Sequence, residues 1–268
     1  MRARVITIVN QKGGVAKSTT TINLAAGLAR RGYLILVVDL DPQQNTTSVL
    51  LASQDVEPNL FQVLVQGTEA QAAVHQPHRG FEERSKIRVL PSHIDLTAAD
   101  LLLAGRVGRE NLLPKQLAPL VEDFDFILVD TPPSLGLLTV NALTATDGTI
   151  VPVSVNYFAL QGVKMLKDTI RAVRENLDRP TLEINHVLCT FYDSSTNISH
   201  DALAAVRETF GERVFRTVIP KNVDLEYAHS SKQSIFSYAP RSAGAQAYHS
   251  LVDELLGRMK YDPKTRVE

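Results

Sequence analysis

The chain has 268 residues, 44% of them hydrophobic, and its 28 Lys and Arg nearly balance 29 Asp and Glu for a formal net charge of −1. This length is enough for one large α/β domain with a substantial core, so we expect residues 1–268 to form a single domain with a polar tail from about residue 261. The near-neutral charge excludes a bulk polycation, and any nucleic-acid binding must therefore come from a local basic patch.

The sequence also lacks the features of a membrane or secreted protein. No apolar stretch approaches the ~18 uncharged residues of a membrane span. Arg2 and Arg4 lead directly into the first apolar run, which leaves no room for a signal peptide. Cys189 is the single cysteine, so an intrachain disulfide is excluded and a reducing compartment is indicated. We therefore expect a cytoplasmic protein with no membrane partner.

Strand-like apolar runs alternate with helix-length segments along the chain. Near-continuous Val, Ile and Leu runs are typical of parallel strands covered on both faces. This order predicts an α/β fold with a doubly wound, mostly parallel sheet and helices on both faces. Residues 52–85 are mixed in composition and predict short helices and loops, whereas 243–260 has helical spacing. The predicted strands are 5–9, 34–38, 87–90, 126–129, 150–153, 184–189 and 214–219.

The segment after the first predicted strand has the layout of a phosphate-binding loop. Strand, glycine-containing turn, Lys-Ser and helix follow one another, so backbone N–H groups and the positive end of the helix dipole point at phosphate oxygens. Lys17 is placed to reach the terminal phosphates and the Ser18 hydroxyl to ligate Mg²⁺. The predicted nucleotide-binding residues of this loop are Lys12, Gly13, Gly14, Val15, Ala16, Lys17, Ser18 and Thr19.

The loop departs from the general pattern G-x-x-x-x-G-K-[ST] at both glycines. Gln11 stands at the first glycine position and Ala16 at the second, and Lys12 adds a second lysine. A methyl group at residue 16 restricts φ where the backbone approaches phosphate closely. We therefore expect Ala16 to weaken or slightly reshape nucleotide binding at most.

Two further motifs place carboxylates at the ends of predicted strands. Asp39 and Asp41 follow the run 34–38, and Pro42 stops that strand. Asp130 ends the run 126–129 and is typical of a strand whose carboxylate holds Mg²⁺ directly or through water. An isolated D-x-D could merely cap the next helix. Ligands of parallel sheets bind beyond the carboxyl ends of the strands, so all these groups are predicted to share one site.

Together these residues resemble the ParA/MinD class of ATPases, which has a deviant phosphate loop with a second lysine. The segments D-x-D-P-Q-x-N from Asp39 and D-T-P-P from Asp130 match the family nearly residue for residue. The resemblance covers residues 3 to about 260 and is greatest to the short ParA, or Soj, type without an N-terminal helix-turn-helix domain. It implies ATP and Mg²⁺ as cofactors, and Pro220 and Asn222 beside the adenine.

The resemblance also implies roles for the charged residues. Lys12 crosses a dimer interface to the partner's nucleotide, Lys17 binds the terminal phosphates, and Asp41 orients the attacking water, so these three are the implied catalytic residues. Asp39 supports the metal through water. The implied metal residues are Ser18, Asp39 and Asp130.

The family's function implies further partners. ATP-dependent homodimers bind double-stranded DNA without sequence preference on the nucleoid, and a ParB-type centromere-binding protein stimulates an otherwise slow ATP hydrolysis. The chain keeps the basic DNA-contacting positions imperfectly, since Asp224 stands where an arginine is common. The remaining candidates for DNA contacts are Lys221, Lys232, Arg241 and Arg258.

Three other functions are considered for a chain with this phosphate loop. A MinD-like membrane switch needs a C-terminal amphipathic anchor, which residues 261–268 do not supply. An ATPase that positions another cargo, such as a carboxysome or a chemoreceptor cluster, stays open because the sequence does not identify the cargo. A redox protein like the nitrogenase iron protein needs two cluster cysteines per subunit, and the chain has one.

Overall fold

A computed structural model describes residues 2–156 and 161–259 of the chain. Its centre is a sheet of six parallel strands in the order β3-β2-β4-β1-β5-β6. Helices surround this sheet, so the predicted α/β fold with a doubly wound parallel sheet is confirmed. The strands are β1 (Arg4–Ile8), β2 (Ile35–Asp39), β3 (Ile87–Leu90), β4 (Phe126–Asp130), β5 (Gly148–Ser154) and β6 (His186–Thr190).

The seventh predicted strand, 214–219, is wrong. Phe215 N donates to Val187 O at 2.9 Å and Ile219 N donates to Cys189 O at 2.9 Å, so the segment does run beside β6. Between these two contacts, however, the backbone N–H groups of residues 216 and 217 donate to the Glu254 carboxylate at 2.8 and 2.9 Å. Because a side chain takes these donors, no continuous ladder forms.

The helices cover both faces of the sheet and supply the remaining connections. Short 3₁₀ and π segments, including Gln62–Gln66, Ala70–Ala73 and Glu82–Ser85, occupy the region 52–85 that was predicted as short helices and loops. The α-helices are α1 (Lys17–Arg30), α2 (Asn45–Leu51), α3 (Ala99–Leu102), α4 (Leu112–Leu117), α5 (Leu137–Ala145), α6 (Gln161–Asn176), α7 (Asn197–Phe210), α8 (Val223–Ser230), α9 (Ile235–Tyr238) and α10 (Ala243–Met259).

Successive residues of the central strands enter opposite cores, as the pleat of a strand requires. On β2, Ile35 and Val37 join the cluster that contains α1 and α10, whereas Leu36 and Val38 join the cluster on the other face. All four side chains are fully buried. Each such burial stabilises the fold by roughly 1.5–3 kcal/mol, which holds the strand ends, and the residues that follow them, in fixed positions.

Helix α10, which lies in the segment 243–260 predicted to be helical, packs directly on α1. Tyr248 is fully buried and its hydroxyl lies 3.2 Å from Thr20 Oγ1. A Cβ at Gly27 would lie 2.6 Å from Val252, so only glycine permits this close approach. The contact fixes the helix that begins at the phosphate loop. The predicted polar tail, 261–268, lies outside the described residues.

Among the described residues, none of the helices has both the length and the apolar character that a membrane crossing needs.

Candidate functional site

The three sequence motifs meet at the carboxyl ends of β1, β2 and β4, which are neighbours in the sheet. Asp130 is the register partner of Ile8 on one side and of Asp39 on the other. The loop after β1, the Asp39–Asp41 turn and Asp130 therefore lie side by side. The structure brings together the residues that the sequence predicted to share a site.

Two polar side chains outside the predicted set hold the phosphate loop in place. Asn10 Nδ2 donates to Pro152 O at 2.8 Å, and its Oδ1 accepts from Lys12 N at 3.0 Å. On the other side Thr190 Oγ1 donates to Val15 O at 3.2 Å. Neither Asn10 nor Thr190 was predicted from the sequence, although an Asn directly after a buried strand indicates a polar contact at that end of the sheet.

Ala16 has the left-handed backbone conformation that its position in the glycine pattern predicts. Its φ is 67°, close to the 65° of Gly14. A left-handed conformation costs a non-glycine residue about 1–2 kcal/mol. Ala16 is also the residue before α1, and no side chain caps that helix. The first N–H groups of α1 are therefore left to a ligand, and such a helix end suits an anion.

Lys17 is buried between the loop and two acidic residues. Its side chain is 7% exposed, and Nζ donates to Lys12 O at 3.3 Å. Burial lowers the pKa of Lys17, and the charges of Asp130 and Asp41 oppose that shift. An ammonium group is thus held at the floor of the loop, where terminal phosphates are predicted to lie.

Asp39 uses both carboxylate oxygens within the protein. Its Oδ2 accepts from Thr47 N at 2.8 Å and from Thr47 Oγ1 at 2.7 Å, while Oδ1 accepts from Asp41 N at 3.1 Å. Burial, followed by the charge of Asp130, raises the pKa of Asp39 to about 8. These contacts make Asp39 the residue that positions the Asp41 turn and the start of α2, and its role toward a metal stays a prediction.

Asp130 keeps one carboxylate oxygen uncommitted. Oδ2 accepts from Thr46 Oγ1 at 2.7 Å, but Oδ1 is buried and has no hydrogen-bond partner in the part of the chain that the structure describes. Burial raises the pKa of Asp130 to about 6, although the hydroxyls of Thr46 and Ser18 favour its charged form. The Ser18 hydroxyl therefore lies beside the Asp130 carboxylate.

This arrangement fits Mg²⁺ better than a metal held by protein ligands alone. Mg²⁺ in nucleotide sites takes one or two carboxylates, keeps several waters and uses substrate phosphates for the rest. Ser18 and Asp130 supply two such oxygens. No cluster of three or more His, Cys, Asp or Glu able to hold a metal occurs among residues 2–156 and 161–259.

Asp41 faces the cavity above the loop. Its Oδ1 accepts from Gln43 N at 3.0 Å, and Ser92 Oγ donates to its backbone oxygen at 2.7 Å. Burial raises the pKa of Asp41, against the effects of the Gln43 N–H and the Lys17 ammonium. The cavity measures about 560 Å³, and Gly13, Lys17 and Asp41 all line it. A carboxylate in this position can orient a water beside bound phosphates.

Lys12 lies on the outer side of the loop, next to the exposed Gly13 and Gly14. It is half-buried, and its Nζ lies 3.4 Å from Asn156 Oδ1. The side chain therefore lies at a partly exposed position beside the loop, from which a second chain placed face to face could be reached. Its implied role across an interface stays a prediction.

A second cavity of about 290 Å³ adjoins the first. Pro220 and Asn222 line it, and their place beside the adenine stays a prediction. The Oδ1 atom of Asn222 is buried without a hydrogen-bond partner in the described part of the chain, and a Cβ at Gly244 would lie 3.2 Å from it. Four residues line both cavities: Ala16, Thr19, Phe191 and His229. The last two were not predicted from the sequence.

The four basic candidates for DNA contacts differ in their surroundings. Lys221 and Arg241 are exposed, and Lys232 is half-buried with a left-handed φ of 55°. Arg258 is engaged within the fold. Its guanidinium donates to Glu254 Oε1 at 2.7 Å and to Val214 O at 2.7 Å, and it lies 4.6 Å from the centre of the Phe215 ring.

Comparison with known proteins agrees with this site. Residues 3–184 match the AAA_31 family, described as an AAA domain. The chain is 43% identical over 264 residues to the chromosome-partitioning ATPase Soj of Thermus thermophilus, which covers 97% of this chain and 99% of that one. The chain belongs to the ParA/Soj family of ATPases.

Two further relatives extend the comparison. The sporulation initiation inhibitor protein Soj of Bacillus subtilis is 40% identical over 253 residues, which are 94% of this chain and 98% of that one. The solved structure of cobyrinic acid a,c-diamide synthase from Mycobacterium smegmatis with bound ATP analog and magnesium has a TM-score of 0.82 and 37% identity, with 96% of each chain covered. As a ParA/Soj-type P-loop ATPase, this chain uses ATP and Mg²⁺.

Proposed function

We propose that this ParA/Soj-type ATPase is a DNA-partition switch controlled by its nucleotide. ATP and Mg²⁺ binding closes two chains face to face, the dimer binds double-stranded DNA without sequence preference, and hydrolysis resets it. A ParB-type partner accelerates that hydrolysis. The observation that supports this proposal best is one cavity lined by Lys17, Ser18 and Asp41. The buried Asp130 carboxylate lies beside Lys17 and Ser18, and Lys12 lies on the outer side of the same loop.

The residues divide the chemistry of phosphoryl transfer among them. Loop N–H groups and Lys17 hold the terminal phosphates, and Ser18 and Asp130 hold the metal and its waters. Mg²⁺, when bound, neutralises the charge that develops on the phosphate oxygens. Asp41 orients the attacking water. Since Asp41 is the one carboxylate lining this cavity among the described residues, we infer that intrinsic turnover is slow until a partner completes the site.

The proposed DNA surface rests on basic side chains that are exposed or half-buried. We assign Lys221, Lys232 and Arg241 to it, and we leave Arg258 out because its guanidinium is engaged with Glu254 and backbone carbonyls. A net charge of −1 gives one chain only a weak field. A two-fold dimer doubles each patch, so DNA binding is expected to require ATP. We accordingly infer a cytoplasmic, nucleoid-associated protein.

Size-exclusion chromatography with light scattering tests this function directly. The protein is run without nucleotide, with ADP and with ATP, each with and without a duplex of arbitrary sequence. We expect a dimer with Mg-ATP alone and co-elution with DNA only in that state. Dimerisation without any DNA binding at low salt would favour an ATPase that positions another cargo, and equal DNA binding with ADP and ATP would contradict the switch.

The name of the Mycobacterium smegmatis structure raises amide synthesis as a second candidate activity. An enzyme that takes its nitrogen from glutamine through a covalent intermediate needs a reactive nucleophile, often a cysteine thiolate. Cys189 is the chain's single cysteine and is buried, and burial raises the pKa of its thiol to about 12. Because this thiol is protonated at neutral pH, the partition ATPase is the function that the site supports better.

A further inference from the structure

The two cavities of the site meet along a border formed by Ala16, Thr19, Phe191 and His229. The larger cavity contains the phosphate loop, and the smaller one contains Pro220 and Asn222. A nucleotide with its phosphates on the loop and its base beside Pro220 must cross this border. The part of the molecule that crosses is the nucleoside end, with the sugar and its bond to the base.

Phe191 is placed at the border by an unusual backbone conformation. It follows β6 directly, has a φ of 55° and leaves 37% of its surface exposed. A left-handed φ is uncommon for a bulky residue, so its surroundings must impose it. The flanking residues do so, because Thr190 Oγ1 donates to Val15 O at 3.2 Å and Tyr192 N donates to Ile219 O at 3.0 Å. Phe191 therefore lies partly outside the core, in the lining of both cavities.

His229 completes the border from α8. Its Nε2 atom is buried and has no hydrogen-bond partner among the described residues, and His229 is part of the lining of both cavities. Burial lowers the pKa of His229 to about 4, so the imidazole is neutral near pH 7. A neutral imidazole offers a flat face, one donor and one acceptor, and it adds no charge to a site already occupied by Lys17.

We propose that Phe191 and His229 clamp the nucleoside of the bound nucleotide, with the Phe191 ring stacked against the base or sugar and the imidazole edge as a polar contact. The inference rests on the proposed ATP site and assigns two binding residues to it. It separates the site into a loop that binds phosphates and an aromatic pair that binds the nucleoside.

Calorimetric titration with three ligands in the presence of Mg²⁺ tests the clamp. ATP and ADP contain the nucleoside, whereas inorganic tripolyphosphate contains only the part that the loop binds. We expect Phe191→Ala to weaken ATP and ADP binding equally, by about 10-fold, because removing an aromatic side chain from a stacked base costs a factor of this order. Tripolyphosphate binding should be unchanged.

Matched variants separate stacking from general damage. Phe191→Tyr keeps the ring and should keep the affinity for ATP, whereas Phe191→Leu keeps apolar bulk and should not. Tyr238 is 39% exposed but lines neither cavity, so Tyr238→Ala is the control for loss of an exposed aromatic. His229→Phe should retain part of the affinity that His229→Ala loses.

The outcomes separate a failure of the proposed clamp from a failure of the proposed ATP-dependent function. Unchanged ATP affinity in Phe191→Ala, or an equal loss for tripolyphosphate, would overturn the clamp while leaving the ATPase intact. If Phe191→Ala does not fold, the comparison of Phe191→Leu with Phe191→Tyr decides in the same way. Wild-type protein that binds neither ATP nor tripolyphosphate would overturn the proposed function, and the clamp with it.

Discussion

Asp39 and Asp130 are register partners on adjacent strands, yet their carboxylates are used in opposite ways. Asp39 accepts three hydrogen bonds from Thr47 and Asp41, whereas Asp130 leaves Oδ1 buried and without a partner among the described residues. Two fully buried carboxylates on neighbouring strands disfavour each other's charged form. The pair is therefore prepared for a cation, and the oxygen that would meet it belongs to Asp130.

Asp130→Ala and Asp41→Ala should fail at different steps of the cycle. Without Asp130 the metal loses a ligand. We therefore expect the gain in nucleotide affinity that Mg²⁺ provides to be about 10-fold smaller in Asp130→Ala than in the wild type. Without Asp41 the loop, Lys17 and Ser18 remain, so ATP should bind and trap a dimer that does not hydrolyse it. Nucleotide titration with and without Mg²⁺, combined with light scattering, measures both. Parental ATP hydrolysis by Asp41→Ala would show that this carboxylate is not catalytic.

Much of this site is predictable from local sequence, because each motif sits where a buried strand ends. The phosphate loop, Asp41 and Asp130 all follow apolar runs, and parallel strands bring such ends together. The hydroxyl of Thr46 was missed because its partner, Asp130, is brought close by the pairing of β2 with β4. The Thr47 hydroxyl was also missed, although its partner, Asp39, is only eight residues away in the sequence.

The errors and omissions come from contacts between distant parts of the chain. The run 214–219 has strand composition, but Glu254 from α10 takes two of its N–H groups. Phe191 and His229 reach the border of the site from segments more than 170 residues beyond the loop. No periodicity within a short window reports such neighbours.

Lys17→Ala should abolish nucleotide binding, whereas Lys12→Gln should abolish only dimerisation. Lys17 is buried against Asp41 and Asp130 at the floor of the loop, so its loss removes the cation that faces the terminal phosphates. Lys12 is half-buried on the outer side of the loop, and its contact with phosphate is expected to form only across an interface with a second chain. Fluorescent nucleotide titration reports the first effect and light scattering with ATP the second. A Lys12→Gln protein that still dimerises with ATP would refute the role across the interface.

Ala16→Gly should relieve a left-handed backbone next to the phosphates. Glycine adopts this φ without a steric cost, although it also loses more chain entropy on folding, so we expect a net stabilisation of about 0.5–1 kcal/mol. Removing the methyl group should also tighten ATP binding. Ala52, with a φ of 56°, lies outside both cavities and gives a matched control. The unfolding temperature should rise in both Ala16→Gly and Ala52→Gly, whereas the affinity for ATP should rise only in Ala16→Gly. An Ala16→Gly protein with wild-type affinity for ATP would show that the Ala16 methyl group does not hinder the ligand.

His186 should make the fold sensitive to acid. Burial, followed by the charge of Arg258, lowers the pKa of His186 from 6.5 to about 4, and Nδ1 is buried without a partner among the described residues. The unfolded chain therefore binds a proton between pH 6.5 and 4 that the folded chain does not, so stability falls as pH falls through this window. The loss is at most about 1.4 kcal/mol for each unit of the shift. His229, Asp39 and Asp130 also have shifted pKa values, so the contribution of His186 is measured as a difference between two proteins. The unfolding free energy of His186→Phe, which keeps the ring beside Phe215, should rise relative to the wild type as pH falls from 7 to 4.5. A difference that stays constant with pH would exclude a contribution from His186.

DNA binding should require ATP and should depend steeply on salt through Lys221 and Lys232. Each phosphate that a lysine neutralises releases counterions, so log K falls against log salt with a slope of about −0.9 per contact. Replacing both lysines with Gln in each chain of the dimer should make this slope shallower and weaken binding to all sequences alike. Asp193 adds a negative charge near Lys221 and so opposes DNA binding there; hydrogen bonds from Ser195 lower the pKa of Asp193 most, and the Lys221 ammonium lowers it further. Arg258→Gln is the control, since that side chain is engaged with Glu254 and should leave the slope unchanged.

A mobility assay across a salt series with ATP and with ADP measures these slopes. If the double variant keeps the wild-type slope while Arg258→Gln reduces it, the DNA surface lies at the end of α10 and not beside α8.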